Sequence, residues 1–468
     1  MSTSPKDALN EIAHWIATHP ADWSDDARRI ACNSAIDTIA CMIAGAGDPV
    51  VTKLTGLLRT WGDGPATLIG QAGTLAVPWA AMINGAAAHV LDYDDNFDPA
   101  KAHASAVLFP ALIALGEARN ATSAELLDAY IVGLQVMGHV GQAVNPFHRN
   151  RGWHATCTMG AIGAAAGCAR LLKLDEVQSA HAVSMATSRA GGFMSQFGTD
   201  TKPLHAGFAA SGGVQSALMA EAGLTAGSDT LDGPTGLRML MVGPDVEARA
   251  EDMAGKAEHG QSVRFEPGRV AAPLHIEAYG LKVKRYPNCG SVHRALDLLL
   301  QLRETHSLTP DNVKHIKVRA PASHLRNLMY VIPTTPSEAK FSLEYNLAAG
   351  LKFGKVGLRD FTPEAILRPD VHALFERIER DYVEKLESEF PTEVHITLTD
   401  GTQVSGEADM PIGSKKYPLT RAQIWQKYED CAKACPDWSH EAALKQKLEM
   451  LDSNMPLSDL SPFLSLPA

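Results

Sequence analysis

Residues 89 to 103 read HVLDYDDNFDPAKAH, so four carboxylates and two imidazoles interrupt an otherwise apolar region. Burying such groups is costly unless they are paired or hydrogen-bonded. Asp92 and His103, at the margins of helices, are the candidates for acid–base chemistry, because imidazole titrates near neutral pH and a carboxylate can orient it or receive its proton. Asp94, Asp95 and Asp98 read equally well as a solvated loop and helix-cap cluster. His89 and Asp92 are three apart on a helix and could bind a metal, but no second ligand pair accompanies them.

Three further segments carry candidates. In RGWHATCTMG (151–160), His154 stands just before a small-residue helix with Thr156 available as N-cap, where free N–H groups and the helix dipole favour a bound anion. The alternative is a structural histidine that satisfies its neighbours. GGFMSQFGTDTKPLHAGFAASGG (191–213) sets Lys202 and His205 in a glycine-rich loop, where the backbone can approach a ligand and lysine supplies a point charge. Neither GxxxxGK[ST] nor GxGxxG is present, so nucleotide binding is not supported. LKVKRYPNCGSVH (281–293) gathers Lys282, Lys284, Arg285, Tyr286, Cys289 and His293, with Lys282 and Lys284 on one face if the segment is extended. Cys289 and His293 form a nucleophile and base only if geometry joins them, which spacing does not establish. KFSLEYNLAAG (340–350) starts a helix in which Tyr345 reads first as a packing residue.

The elements that must position these residues are mostly helical from about residue 5 to 225. Cys32, Ile36, Ile39 and Ile43 make one apolar stripe on a helix ending near Gly45 and Gly47. The stretch 158–175 is apolar nearly all round, and Gly163 and Gly167 let a neighbouring helix approach. Residues 225–270 turn Gly/Asp-rich and charged, which predicts loops and a domain junction. VKHIKVRA (313–320) and VHITLT (394–399) alternate as half-buried strands, and Asp400-Gly401 predicts a type I′ hairpin turn before TQVSGE. The intervening 363–388 reads as helix, and 418–435 returns to helical spacing.

The bulk properties narrow the function. The 468 residues are 45% hydrophobic and 20% charged, a globular composition long enough for more than one domain. A net charge of −11 without a basic run argues against nucleic-acid and membrane-surface partners, so an anionic substrate needs a local positive pocket. Seven cysteines without CxxC pairs predict reduced thiols, and the N-terminal residues lack a leader pattern; together these predict a cytoplasmic protein. The longest charge-free run, 64–91, contains prolines, Asn84 and His89, and predicts a buried interior segment.

AAMINGAAAHVLDYDD, HASAVLFPALIALGEA, GWHATCTMGAIGAAAGCARLLKLD, TKPLHAGFAASGG, LKVKRYPNCGSVH, KFSLEYNLAAG and YPLTRAQIWQKY together resemble the MmgE/PrpD family, nearly end to end and in the family's order. That family includes 2-methylcitrate dehydratase, cis-aconitate decarboxylase and iminodisuccinate epimerase. The resemblance implies a mainly α fold, with a large helical domain from both chain ends (1–268 and 408–468) and an inserted α+β lid (269–407). It further implies a homodimer and an active site between the domains without metal or organic cofactor.

Carried onto this sequence, the family's functional positions give a catalytic set of Asp92, His103, His154, Lys202 and Lys284. The substrate-binding set is Asn96, His205, Arg285, Tyr286, Cys289, His293 and Tyr345. The chain departs from the family where Asn96 replaces a common Thr and where His103-Ala104-Ser105 replaces HPS; dehydratase-like members carry HPSD, and its absence directs the expectation away from 2-methylcitrate dehydration. The Asp92–His103 spacing is about one residue longer than in the decarboxylases.

The expected activity is that of a lyase, dehydratase or decarboxylase, acting at the α-carbon of a small di- or tricarboxylate held by Lys and Arg. An epimerase of an amino- or imino-dicarboxylate is the alternative, followed by a metal-dependent hydrolase and a non-catalytic carboxylate-binding protein.

Overall fold

Side-chain caps and apolar spacing define the helices of the first half of the chain. Thr122 and Glu125 close a reciprocal capping box at the start of Ser123–Gln142, and Asp175 and Gln178 do the same for Glu176–Thr187. Ser24 caps Asp25–Gly45, on which Cys32, Ile36, Ile39 and Ile43 are all buried as their spacing predicts. The computed structural model describes residues 7–254, 258–385 and 389–466. Helices hold 55% of the chain against 9% in strands, so the protein is mainly α with a small α+β part.

Two compact units divide the chain: Met1–Leu281 with Arg421–Ala468, and Lys282–Thr420. In the first, small residues let helices meet backbone to backbone. A Cβ added at Gly163 would lie 2.9 Å from the Gly133 carbonyl oxygen, so Ala155–Leu171 and Ser123–Gln142 pack closely only because that side chain is absent. A Cβ at Gly207 would lie 2.3 Å from the Met82 carbonyl oxygen. Gly207 therefore presses Thr201–Glu221 against Val77–Val90, which brings the start of one helix to the end of the other. No single helix among the described residues is long and apolar enough to cross a membrane, and the charge-free run contributes the largely buried helix Val77–Val90.

In the second unit, Val313–Pro321 is the central strand. It pairs in parallel with Ile378–Val383 and antiparallel with Thr392–Leu398, which in turn pairs antiparallel with Gln403–Ala408. Ile316, Val318 and Ala320 face the core, as their alternation predicts, and pack with Leu296, Leu299 and Leu347 of neighbouring helices.

Three local expectations are corrected. Residues 363–388 are not one helix: Pro363 and Pro369 each open a four-residue helix, and Ile378–Val383 is a strand in register with Ile316 to Pro321. Residues 386–388 lie outside the described residues, as do residues 5 and 6 of the expected helical stretch. The hairpin at 399–401 exists, but its loop has three residues: Leu398 N–H reaches Thr402 O, and Gly401 alone turns to φ 91°. That is a turn closed by a left-handed glycine, whereas type I′ needs Asp400 at positive φ as well. Finally, the loop-like 225–270 stretch holds two helices, Leu237–Val242 and Val246–Met253, with 255–257 outside the described residues.

Candidate active site

The helix Val77–Val90 ends with His89 in its last turn, and the chain then turns sharply because Asp92 adopts φ 55°. This left-handed conformation is one that Asp tolerates better than most residues. Asp92 is therefore past the helix and not three apart on it from His89. The turn sends Asp94 and Asp95 inward. Both are buried, so the solvated-cap reading does not hold for them. A bridge between Phe97 and Ala102 closes the loop and delivers His103 just before the helix Ser105–Ala118. The His103 N–H donates to Thr156 Oγ1 at 3.1 Å. Thr156 thus ties two segments together; the N-cap position of Ala155–Leu171 belongs to His154.

Asp94 is the hub. Its Oδ2 accepts from His89 Nδ1 at 2.7 Å and lies 3.2 Å from His103 Nδ1. Burial alone would raise this carboxyl, but His103 and His89 outweigh it and hold Asp94 well below the usual carboxylate range. Burial lowers His89 to about 4, against the opposing pull of Asp94. The Asp94 carboxylate thus stands between two imidazoles, each with Nδ1 toward it. The His103 side chain is 14% exposed where Asp94 is 0%. Beside this hub, Asp95 bonds the Ser105 hydroxyl, which also meets Tyr130 at 2.8 Å.

Lys202 and His205 lie in the first turn and a half of the helix Thr201–Glu221, not in the preceding loop. Lys202 Nζ sits 2.8 Å from Asp92 Oδ1 and 5.8 Å from the centre of the Phe197 ring. Phe197 is edge-on to His154, whose ring is stacked 5.9 Å from His89. The Nδ1 atoms of His154 and His205 are 2.8 Å apart, a distance that requires one ring to donate and the other to accept. Burial, then the nearby His89, Lys202 and His103, drive His154 well below the ordinary histidine range, while burial and Lys202 lower His205. A cation beside neutral imidazoles and an aromatic face suits a small anion. Asn96 is half-buried on the same loop.

His89, Asp94 and His103 each offer one atom within 4.8 Å of the others, the arrangement among the described residues that could hold a metal ion. The 2.7 Å between His89 Nδ1 and Asp94 Oδ2 is a hydrogen-bond length, however. Two ligand atoms of a tetrahedral zinc stand roughly 3.3 Å apart, given metal–ligand distances of about 2.0–2.1 Å. As placed, His89 and Asp94 are hydrogen-bonded, and His103 Nδ1 stands 3.2 Å from the same oxygen without a hydrogen bond.

Residues 10–249 match the MmgE/PrpD N-terminal domain, and residues 286–452 match the MmgE/PrpD C-terminal domain. The chain belongs to the MmgE/PrpD family. Among its relatives, the cis-aconitate decarboxylase of Homo sapiens is 28% identical over 408 residues, covering 83% of this chain and 80% of that protein. The cis-aconitate decarboxylase of Aspergillus terreus is 26% identical over 496 residues, covering 99% of this chain and 96% of that protein.

The match to the MmgE/PrpD N-terminal domain contains the whole Asp94 hub with Lys202 and His205. Tyr286, Cys289, His293 and Tyr345 fall in the C-terminal match, within the second unit. There Tyr286 donates to Asp297 at 2.8 Å, Arg285 reaches the same carboxylate at 3.2 Å, and His293 stands edge-on to the Tyr286 ring. Lys284 is buried next to them in sequence, and Cys289 is half-buried with its N–H on Lys340 O. Tyr345 is buried, and its hydroxyl donates to the Asp360 carbonyl.

Sequence reasoning did not single out Asp94, Asp297 or Phe197. For Asp94 a signal existed: an acidic residue five positions after a histidine, in a run too apolar for both to be solvated.

Proposed function

We propose that this protein is a lyase that removes carbon dioxide from a small unsaturated polycarboxylate, with His103 as proton carrier, Asp94 as its orienting carboxylate and Lys202 as a carboxylate-binding cation. The contact between Asp94 and His103 carries the reading, because a fixed, ionised carboxylate behind an imidazole is an arrangement for moving protons. Family membership and relatives named cis-aconitate decarboxylase support the lyase class.

Decarboxylation breaks the bond between carbon and the departing carboxylate. The electron pair moves into the unsaturated carbon framework, carbon dioxide leaves, and one carbon takes a proton. His103 Nε2 delivers that proton and recovers it from solvent, so the step consumes one proton and no oxidant. Lys202, beside the apolar Phe197 ring, stabilises the charge that builds next to a retained carboxylate. Asp92 holds Lys202 before substrate arrives. The His154–His205 pair, kept neutral by burial, accepts or donates hydrogen bonds to the substrate without adding charge.

The test is nuclear magnetic resonance of the purified protein with cis-aconitate, 2-methylcitrate, citrate and iminodisuccinate, each in deuterated water. The proposal expects cis-aconitate to give carbon dioxide and a five-carbon unsaturated dicarboxylate carrying one solvent deuteron. Water loss from a hydroxy acid, or epimerisation with α-proton exchange and no carbon dioxide, would replace it.

A further inference from the structure

The loop that carries Asp92 and Asp94 is held from beneath by a residue more than 330 positions away in sequence. Lys427 lies on the helix Arg421–Ala432, in the C-terminal part of the first unit, and is 4% exposed. Its Nζ is 2.6 Å from Asp37 Oδ1 on the helix Asp25–Gly45. It also donates to the Tyr93 carbonyl at 2.7 Å and sits 3.9 Å from the centre of the Tyr93 ring. That carbonyl belongs to the peptide group joining Tyr93 to Asp94. The residue before Tyr93, Asp92, is in the left-handed region at φ 55°.

We infer that Lys427 is a positioning residue: by grasping the Tyr93 carbonyl and the face of its ring, it fixes the peptide plane that aims Asp94 at His103. The inference rests on the proposed role of His103. Chemically, an ammonium is suited to this task because its three donors serve Asp37 and the carbonyl together, and the ring face receives the remaining positive charge. A core ion pair that served packing alone would not need to include the carbonyl of the loop. Such a pair can be exchanged for apolar residues of similar size with little loss of stability.

That difference supplies the test. The double variant Asp37→Leu/Lys427→Met removes both charges and keeps the volume, so no buried charge is left unpaired; Lys427→Met alone is made beside it. Thermal melting and circular dichroism establish that the double variant is folded. The inference expects kcat to fall roughly a hundredfold, the scale of a small misplacement of catalytic groups, with KM within about threefold. It also expects the ring nitrogen signals of His103, read by 15N-labelled histidine nuclear magnetic resonance, to shift from their wild-type positions as Asp94 Oδ2 moves away from Nδ1. A folded double variant with full kcat and unchanged His103 signals overturns it. If the wild type turns over none of the polycarboxylates, the lyase reading fails, and the His103 signals alone still decide whether Lys427 sets the loop.

Discussion

The Asp94 carboxylate faces His103 with Oδ2 3.2 Å from Nδ1, and the same oxygen takes the Nδ1–H of His89 at 2.7 Å. One carboxylate oxygen thereby lies against two imidazoles, hydrogen-bonded to that of His89. Asp94→Asn keeps the shape and removes the charge beside His103, on which the proposed orienting role depends. Steady-state kinetics should show kcat lower by about 10²–10⁴-fold, the range for a disabled general acid–base group, with KM little changed. An unaltered kcat would contradict the orienting role.

Lys202 is expected to act on substrate binding as well as on the charge that builds in the reaction. Replacing it by Met removes the cation and frees Asp92 from its 2.8 Å partner. KM for the polycarboxylate should rise about tenfold or more, in line with the roughly 1.5–3 kcal/mol of a hydrogen bond to a charged group. Initial-rate measurements that leave KM unchanged would remove Lys202 from the binding role.

Several histidines are buried neutral, which ties stability to pH. Burial lowers His89 and His139 to about 4, and His148 and His275 to about 3, from an ordinary value of 6.5. Between 6.5 and those values the unfolded chain binds protons that the folded chain does not, so stability falls as pH falls through this window. Each histidine contributes up to about 1.4 kcal/mol per pH unit. The thermal midpoint should drop steadily from pH 7 to pH 5, and a flat profile would contradict the burial.

Asp95 works in the opposite sense. Burial, only partly offset by the Ser105 hydroxyl, raises it from 3.8 to about 7. Between those values the folded state holds a proton that the unfolded state has released, so this residue makes the protein less stable as pH rises through the window. Asp95→Asn keeps an amide able to bond Ser105 and removes that slope. Its melting point relative to the wild type should be higher at pH 8 than at pH 5, and equal differences at both would refute the assignment.

Much of the fold was legible because local rules and tertiary packing agree. Alternation at Ile316, Val318 and Ala320 marked the central strand, and the stripe from Cys32 to Ile43 marked a buried helix. The failures lie where competing signals coincide. Residues 363–388 carry helix-compatible residues, but their prolines restart the chain twice, and the parallel partner at Ile316 that makes Ile378–Val383 a strand is far away in sequence. Of the catalytic set expected from the sequence, Asp92, His103, His154 and Lys202 lie in the first unit, and Lys284 lies in the second. Which carboxylate lies beside His103 was not readable, because the φ 55° turn at Asp92 decides whether Asp92 or Asp94 faces the imidazole, and spacing alone does not encode it.

In the proposed lyase reaction, His103 carries the proton. The most direct measurement compares His103→Asn with the wild type, both folded by circular dichroism, turning over in deuterated water whichever polycarboxylate the wild type consumes. That role predicts a wild-type product with one deuteron on carbon and a variant slower by about 10²–10⁴-fold. A variant that forms the same deuterated product within about threefold of the wild-type rate would contradict it.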